Sequence, residues 1–166
     1  APAGRPSLRD LPSAGALAPA GSLWQTSRGM PIIEVPMREE PRWWMNTSAS
    51  DLALARKALE VGSFHHCAFL SQQAAEKALK GLLLSRGSFE KTHACIDLLE
   101  AAAARGVSAS EELRSSCREL DHHYIGSRYP NGVGGEPAKF YDARIAARAL
   151  SQAEAVIRHV EGNLGG

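Results

Sequence analysis

Apolar residues recur at intervals of three and four along most of the chain after residue 38, which is the spacing of one helix face. In the clearest segment, residues 64–86, Ala68, Ala75, Leu79 and Leu83 share such a face. No window shows the period of two that indicates a β-strand. The pattern predicts five helices, at residues 39–60, 64–86, 92–105, 108 or 110 to 124, and 141–162.

Glycine and proline mark the ends of the predicted helices. Pro41 suits a first helical turn, and Gly62, Gly87 and Gly106 follow the ends of the first three helices. An alternative start of the first helix lies near Ser50, because the asparagine, threonine and serine at 46–48 have low helix propensity.

Residues 125–137 separate the last two helices and contain four glycines and two prolines. They exclude a continuous helix and predict a long loop, and loops of this length in compact domains are often functional. The predicted fold is all-α, an antiparallel up-and-down bundle of four to five helices.

The first 36 residues differ from the rest, because they are rich in Ala, Pro, Gly and Ser and lack helical periodicity. We expect a flexible leader over residues 1–36, followed by one helical-bundle domain over residues 37–164. A transit peptide is the alternative for the leader, and Met30 and Met37 are the candidate natural starts.

The net charge and the cysteine spacing limit the kinds of binding partner and the cellular compartment that we expect. A formal net charge of +1 gives no field that would by itself indicate nucleic-acid binding, although a local basic patch stays open. No apolar run approaches the roughly 20 residues that span a bilayer, so we expect no membrane association. Cys67, Cys95 and Cys117 are widely spaced and form no CxxC pair, which favours a reducing cytoplasm.

Two strings carry a family resemblance. The first is FLSQQAAEKALKGL at residues 69–82, followed by Lys91, Thr92 and His93; the second is LDHHYIGSRYPN at residues 120–131. In this order and at this separation they are similar to signatures of small prokaryotic HEPN proteins. Gly126 departs from the family, in which proline is common at this position.

The resemblance implies a homodimer, often paired with a small nucleotidyltransferase-like partner protein, and it implies no cofactor. The second helix also favours a homodimer, because its small apolar residues lie on more sides than one small bundle covers. Catalytic members of the family carry an arginine followed, after four to six intervening residues, by histidine. The one such match here is Arg118 followed after four residues by His123, and we take Arg118, His122 and His123 as candidate catalytic residues for RNA cleavage without a metal.

The chemistry would need a histidine that takes the 2′-hydroxyl proton or protonates the leaving 5′-oxygen, and an arginine that stabilises the phosphate. On an ideal helix Arg118 and His122 lie about 40° apart, whereas Arg118 and His123 lie about 140° apart. Either His122 is therefore the partner of Arg118 or the helix unwinds near Asp121. In a structural reading Arg118 neutralises Glu119 or Asp121 at the surface, or Glu119 pairs with His123 as an ordinary surface contact.

Three residues of the second string suit ligand binding. Arg128 can clamp a phosphate, and Tyr124 or Tyr129 can stack on a base. In the alternative, Tyr129 and Pro130 pin the loop to the bundle while Arg128 caps the carbonyls of the fourth helix.

Polar residues of the second helix leave two interpretations open. Gln72, Gln73, Glu76 and Lys80 line the same cleft, or they form a solvated face or a dimer seam. A metal site is not expected, since the histidines and cysteines at 65–67, 93 and 95 have no HxxxH or CxxC spacing.

Two classes of function follow from these features. One is a nucleotide- or RNA-associated component of a toxin–antitoxin pair, either a metal-independent endoribonuclease or a non-catalytic module. The alternative is a helical dimer that acts as an interaction module. A basic open groove beside Arg118, His122 and Arg128 would favour the first class, and a groove filled by Tyr124 and Ile125 the second.

Overall fold

The computed structural model describes residues 39–164, and their regular structure is entirely helical, as predicted. The helices are α1 (Glu40–Glu60), α2 (Phe64–Ser85), α3 (Cys95–Ala103), α4 (Glu111–Gly126), α5 (Pro130–Val133) and α6 (Ala143–Asn163), with a 3₁₀ turn at Pro137–Lys139 before α6. The short connection between α1 and α2 makes them antiparallel neighbours in the bundle. The predicted leader, residues 1–36, lies outside the described residues.

α2 is the central helix of the bundle and packs against α1, α3, α4 and α6. Small residues let α1 approach it closely: the hydroxyl of Ser48 donates to the carbonyl oxygen of Ala74 at 2.7 Å. A Cβ on Gly81 would lie only 3.2 Å from the carbonyl oxygen of Pro41. The apolar sides of α2 are therefore covered within one chain, and they no longer argue for a dimer. The dimer itself stays a prediction.

The core is built from aliphatic residues of α2, α3, α4 and α6, together with buried free thiols. Its largest fully buried apolar side chains are Leu79, Leu82, Leu83, Leu98, Leu99, Leu120, Val156 and Val160. The three cysteines are buried and unpaired. None of the helices between residues 40 and 163 is long and apolar enough to cross a membrane.

Hydrogen bonds of individual side chains, rather than helix propensity, determine where α1 and α3 begin. α1 begins at Glu40, so the alternative start near Ser50 is wrong; the buried hydrogen bond of Ser48 offsets its low propensity. α3 begins at Cys95 rather than at residue 92, because the Thr92 hydroxyl accepts from the backbone N–H of Ala94 ahead of the helix.

α4 and the predicted loop after it also differ from the prediction. The Ser110 hydroxyl accepts from the N–H of Leu113, which makes Ser110 the cap of α4. α4 then continues through Gly126, and residues 125–137 are not one long loop, since they include α5 and the 3₁₀ turn. Pro130 suits the first turn of α5, and Gly134 ends it with φ 71°.

Candidate functional site

Arg118 and His122 lie one turn apart on an unbroken α4, and both are exposed. Unwinding at Asp121 is therefore wrong, and of the two histidines His122 is the one that shares a stripe with Arg118. The Arg118 guanidinium donates to the Glu111 carboxylate at 2.8 Å, so the expected pairing with Glu119 or Asp121 is also wrong. Arg118 lies in the middle of α4 and not at its C-terminal end.

His123 is in a different environment from His122. Its Nδ1 lies 3.1 Å from the Tyr141 hydroxyl, and its ring meets the Tyr141 ring edge-on at 5.5 Å. Burial, and then the neighbouring His122, lower the pKa of His123 to about 4. His123 is therefore neutral at physiological pH and packs α4 against the start of α6.

A groove of about 240 Å³ runs between α4 and α6 beside His122. Its lining residues are Glu119, His122, His123, Arg144, Ile145, Arg148 and Gln152. Glu119 accepts two hydrogen bonds from Arg148, each 2.7 Å, and one from Gln152, so it does not pair with His123 as expected. These hydrogen bonds, that of Arg148 first, hold the pKa of Glu119 below its usual range. Arg144 is exposed and has no ion pair within residues 39–164.

Arg128 lies at the end of α4 among aromatic rings. Its Nε donates to the carbonyl oxygen of Tyr124 at 2.8 Å, which confirms the predicted capping of the fourth helix. The guanidinium carbon lies 4.6 Å from the ring centre of Phe69, 4.4 Å from that of Tyr124 and 5.1 Å from that of Tyr129. It also borders a hollow of about 290 Å³ beside the start of α2.

The candidate catalytic residues and the candidate ligand-binding residues lie on different sides of α4. Tyr124 and His122 point about 160° apart on the helix. Arg128 is absent from the lining of the groove that contains His122. The structure therefore does not bring Arg128 together with Arg118 and His122. Neither Tyr124 nor Ile125 fills the α4–α6 groove.

The family follows from a comparison with known protein domains. A model of the HEPN domain matches residues 41–163. This range covers most of the chain and all six helices, except for the first residue of α1. The chain belongs to the HEPN family.

Solved structures agree with this assignment. TT1696 from Thermus thermophilus is 35% identical, with a TM-score of 0.72 over 75% of this chain and 98% of that chain. ST0689, described as an archaeal HEPN homologue, is 32% identical, with a TM-score of 0.64 over 75% of this chain and 97% of its own.

A sequence relative carries a functional name. The Methanocaldococcus jannaschii protein named "Putative toxin MJ1304" is 24% identical over 132 residues, covering 71% of this chain and 84% of that protein.

Polar residues of α2 are buried inside this HEPN domain. Gln72, Glu76 and Lys80 are buried in one chain, so the solvated face and the dimer seam are both wrong for them. Glu76 instead accepts a hydrogen bond from Lys80 at 2.8 Å and lies 3.0 Å from Nδ1 of His93. Both interpretations are wrong because other helices surround α2, and the periodicity of α2 alone does not reveal this.

The contacts of four residues of the HEPN domain could not be predicted from the sequence. Arg144 and Arg148 reach the groove only because α6 packs beside α4. The Asp121 carboxylate accepts from the N–H groups of Cys95 and Ile96 and so caps α3 from a distant helix. His93 belongs to the first family string, and its spacing to Glu76 says nothing about their contact.

Proposed function

We propose that this HEPN protein is toxin-associated and acts on RNA in the groove between α4 and α6. The observation that carries the proposal is the continuity of α4, which leaves Arg118 and His122 exposed on one stripe, with His122 in the groove that Arg144 and Arg148 also line. The likeness to the archaeal protein named as a toxin supports the cellular role, and membership of the HEPN family supports the chemistry sought at Arg118 and His122.

RNA cleavage at this groove would use proton transfer and charge stabilisation. An exposed imidazole such as that of His122 can take the 2′-hydroxyl proton or protonate the leaving 5′-oxygen. Arg118 and Arg144 would bind the phosphate oxygens as negative charge gathers on them. His123 would not take part, because burial lowers its pKa to about 4, which makes it a weak base at neutral pH, and Tyr141 holds its ring.

Glu119 sets a condition on this proposal. Its carboxylate lies in the groove and holds Arg148 by two hydrogen bonds. A phosphate that uses Arg148 must replace this carboxylate, whereas Arg144 needs no such exchange. We therefore assign the phosphate first to Arg144, whereas Arg118, which is paired with Glu111, would have to exchange that carboxylate as Arg148 does.

The charge requirement can be tested with arginine variants. Arg118→Ala and Arg144→Ala should each slow cleavage of single-stranded RNA, about 10² to 10³-fold for a well-placed oxyanion donor. Arg158→Ala is the matched control, because Arg158 is exposed on α6 roughly 21 Å along the helix from Arg144. Equal rates in all three variants would disprove the groove as the site of phosphate binding.

Tyr124, Arg128 and Tyr129 are a second candidate site for a nucleotide or RNA ligand. It is favoured by the open terminal nitrogens of Arg128, which have no hydrogen-bond partner within residues 39–164. A folded Arg128→Ala variant that keeps the full nucleotide affinity in calorimetry would remove this candidate.

Two partners belong to the same proposal. We propose a homodimer and a small nucleotidyltransferase-like protein that restrains the toxin. Light scattering at tens of micromolar should give twice the chain mass, and a monomer there would contradict the dimer. Co-expression with a nucleotidyltransferase encoded beside it should abolish toxicity, and continued toxicity would contradict that pairing.

A further inference from the structure

Three hydrogen-bond donors of α6 converge on one carboxylate in the α4–α6 groove. The Nε and Nη2 atoms of Arg148 donate to the two carboxylate oxygens of Glu119, each at 2.7 Å. The side-chain amide of Gln152, one turn further along α6, donates to the same carboxylate at 2.7 Å. An arginine fork that holds two oxygens of one anion suits a phosphate as well as a carboxylate. The cluster is therefore an anion site that Glu119 fills.

The amide of Gln152 is oriented by this anion. Its nitrogen must face Glu119, because the amide oxygen in that place would repel the carboxylate. The amide oxygen is consequently buried and has no hydrogen-bond partner within residues 39–164. A buried acceptor that is left unpaired lowers the stability of a fold. The arrangement of Gln152 thus serves the anion rather than the packing.

The ion pair of Glu119 and Arg148 is not needed to join the two helices. Leu120 and Ala149, their neighbours in sequence, are fully buried in the core and already pack α4 against α6. The Arg148 side chain is 66% exposed and that of Glu119 is 37% exposed, and ion pairs at such positions contribute little to stability. The contact can therefore open without unfolding, and another anion can replace the carboxylate.

Arg144 extends the anion site along α6. Arg144, Arg148 and Gln152 are spaced by four residues, which places them on one face of the helix at steps of about 6 Å along its axis. All three line the groove, and Arg144 has no ion pair within residues 39–164. The groove thus offers two neighbouring positions for anionic groups, of which the chain itself occupies one.

We propose that Arg148 and Gln152 form a second phosphate subsite for RNA beside Arg144, and that Glu119 is an internal competitor that holds this subsite until a phosphate replaces it. The exchange involves only hydrogen bonds and ion pairs: the phosphate accepts from Arg148 and Gln152, and the carboxylate returns to water. The proposal rests on the RNA-binding groove of the proposed function, and it adds a second phosphate position and the residue that restrains it.

Binding of a fluorescently labelled single-stranded oligouridylate tests the subsite. All variants carry His122→Ala, so that the RNA stays intact and binding is measured apart from cleavage. Glu119→Gln removes the charge that holds Arg148 and should tighten binding about fivefold, which is the factor that one exposed ion pair can impose. The plot of log affinity against log salt concentration should also steepen by about 0.7, the increment for one more neutralised phosphate of a single strand.

Two controls separate the subsite from a general effect of charge. Glu154→Gln makes the same change in a carboxylate of α6 that pairs with Arg56 and does not line the groove, and it should bind as the parent does. Adding Arg148→Ala to Glu119→Gln should remove both the gain in affinity and the steeper salt dependence. Should Glu119→Gln not fold, Glu119→Ala removes the same charge and should give the same gain.

A gain that is equal in Glu154→Gln, or that survives the loss of Arg148, would overturn the proposal, as would a folded Glu119 variant that binds no more tightly than the parent. RNA that binds to none of these proteins would overturn the subsite and the proposed function together. A gain that needs Arg148 in a protein whose wild type never cleaves RNA would leave the subsite standing and remove the nuclease. Cleavage that needs Arg144, with unchanged binding in Glu119→Gln, would keep the proposed function and remove the subsite alone.

Discussion

His122 and His123 are adjacent in sequence, but α4 gives them different environments. One step along the helix turns a side chain by about 100°, which separates the exposed groove edge from the contact with α6. The family spacing points to His123, whereas helix geometry places His122 on the same stripe as Arg118. Burial and the hydrogen bond to Tyr141 make His123 a neutral structural residue.

The low pKa of His123 predicts a pH dependence of stability. Its folded pKa of about 4 lies below the ordinary value of 6.5, so the unfolded chain binds more protons between these values. The contribution is complete above about pH 6.5 and is lost as the pH falls towards 4, by up to roughly 3 kcal/mol.

Urea unfolding at pH 7 and pH 4.5 measures this effect. His123→Gln cannot be protonated, and its stability should fall less between the two pH values than that of the wild type. His66→Ala, at an exposed histidine away from His123, should behave as the wild type does. Identical pH slopes for wild type and His123→Gln would show that His123 is not buried as a neutral residue.

Among the helices, α3 is the one whose start depends on another element. Ala94 precedes it and offers no capping side chain, while Asp121 of α4 binds the backbone N–H of Cys95 at 2.6 Å and that of Ile96 at 3.1 Å. Asp121 thus joins α3 to the helix that carries both candidate sites.

Asp121→Ala should lower the free energy of unfolding by about 1 to 2 kcal/mol, as loss of a helix cap does. Asp121→Asn, which keeps one carbonyl acceptor, should lose less. Asp97→Ala is the control, because Asp97 is exposed and accepts only from the Thr92 hydroxyl, and a change within about 0.5 kcal/mol is expected. Denaturant melts that rank Asp97→Ala with Asp121→Ala would refute the capping role.

The packing of α5 against the end of α4 also predicts a mutational effect. A Cβ on Gly132 would lie 3.1 Å from the Gly126 Cα, and equally close to the side chain and carbonyl oxygen of Ile125. Gly132→Ala should therefore destabilise the protein by roughly 1 to 3 kcal/mol, as overpacking does.

Gly162 in α6 provides the matched control for this substitution. Among residues 39–164, a Cβ there meets nothing within 4 Å, so Gly162→Ala should be neutral or stabilising, since alanine favours a helix over glycine by about 0.5 to 1 kcal/mol. Thermal melts in which both variants behave alike would contradict the close approach of α5 and α4.

At the scale of the whole molecule, local periodicity locates helices but not their neighbours. The spacing of apolar residues predicts the five longer helices, because each buries one face or more of its surface. It cannot predict that α2 is enclosed, so the periodicity of Gln72, Glu76 and Lys80 also suits a solvated face or a dimer seam, which the structure contradicts. The one-turn α5 has too few residues to show a period.

The residues of the candidate sites also separate into those that the sequence predicts and those that only the structure reveals. His122 and Arg128 could be selected from the second string, and Arg118 from its spacing to the histidines that follow it. Arg144 could not, because α6 reaches the groove only through tertiary packing, and His93 stands in the first string without any sign of its contact with Glu76.

The central claim is that His122 acts on RNA in the α4–α6 groove, and cleavage of single-stranded RNA by the purified protein in EDTA tests it most directly. We predict cleavage by the wild type and by His66→Ala, an exposed histidine away from the groove, and a rate about 10² to 10⁴-fold lower for His122→Ala. Intact RNA after incubation with the wild type, or equal cleavage by His122→Ala, would contradict the claim.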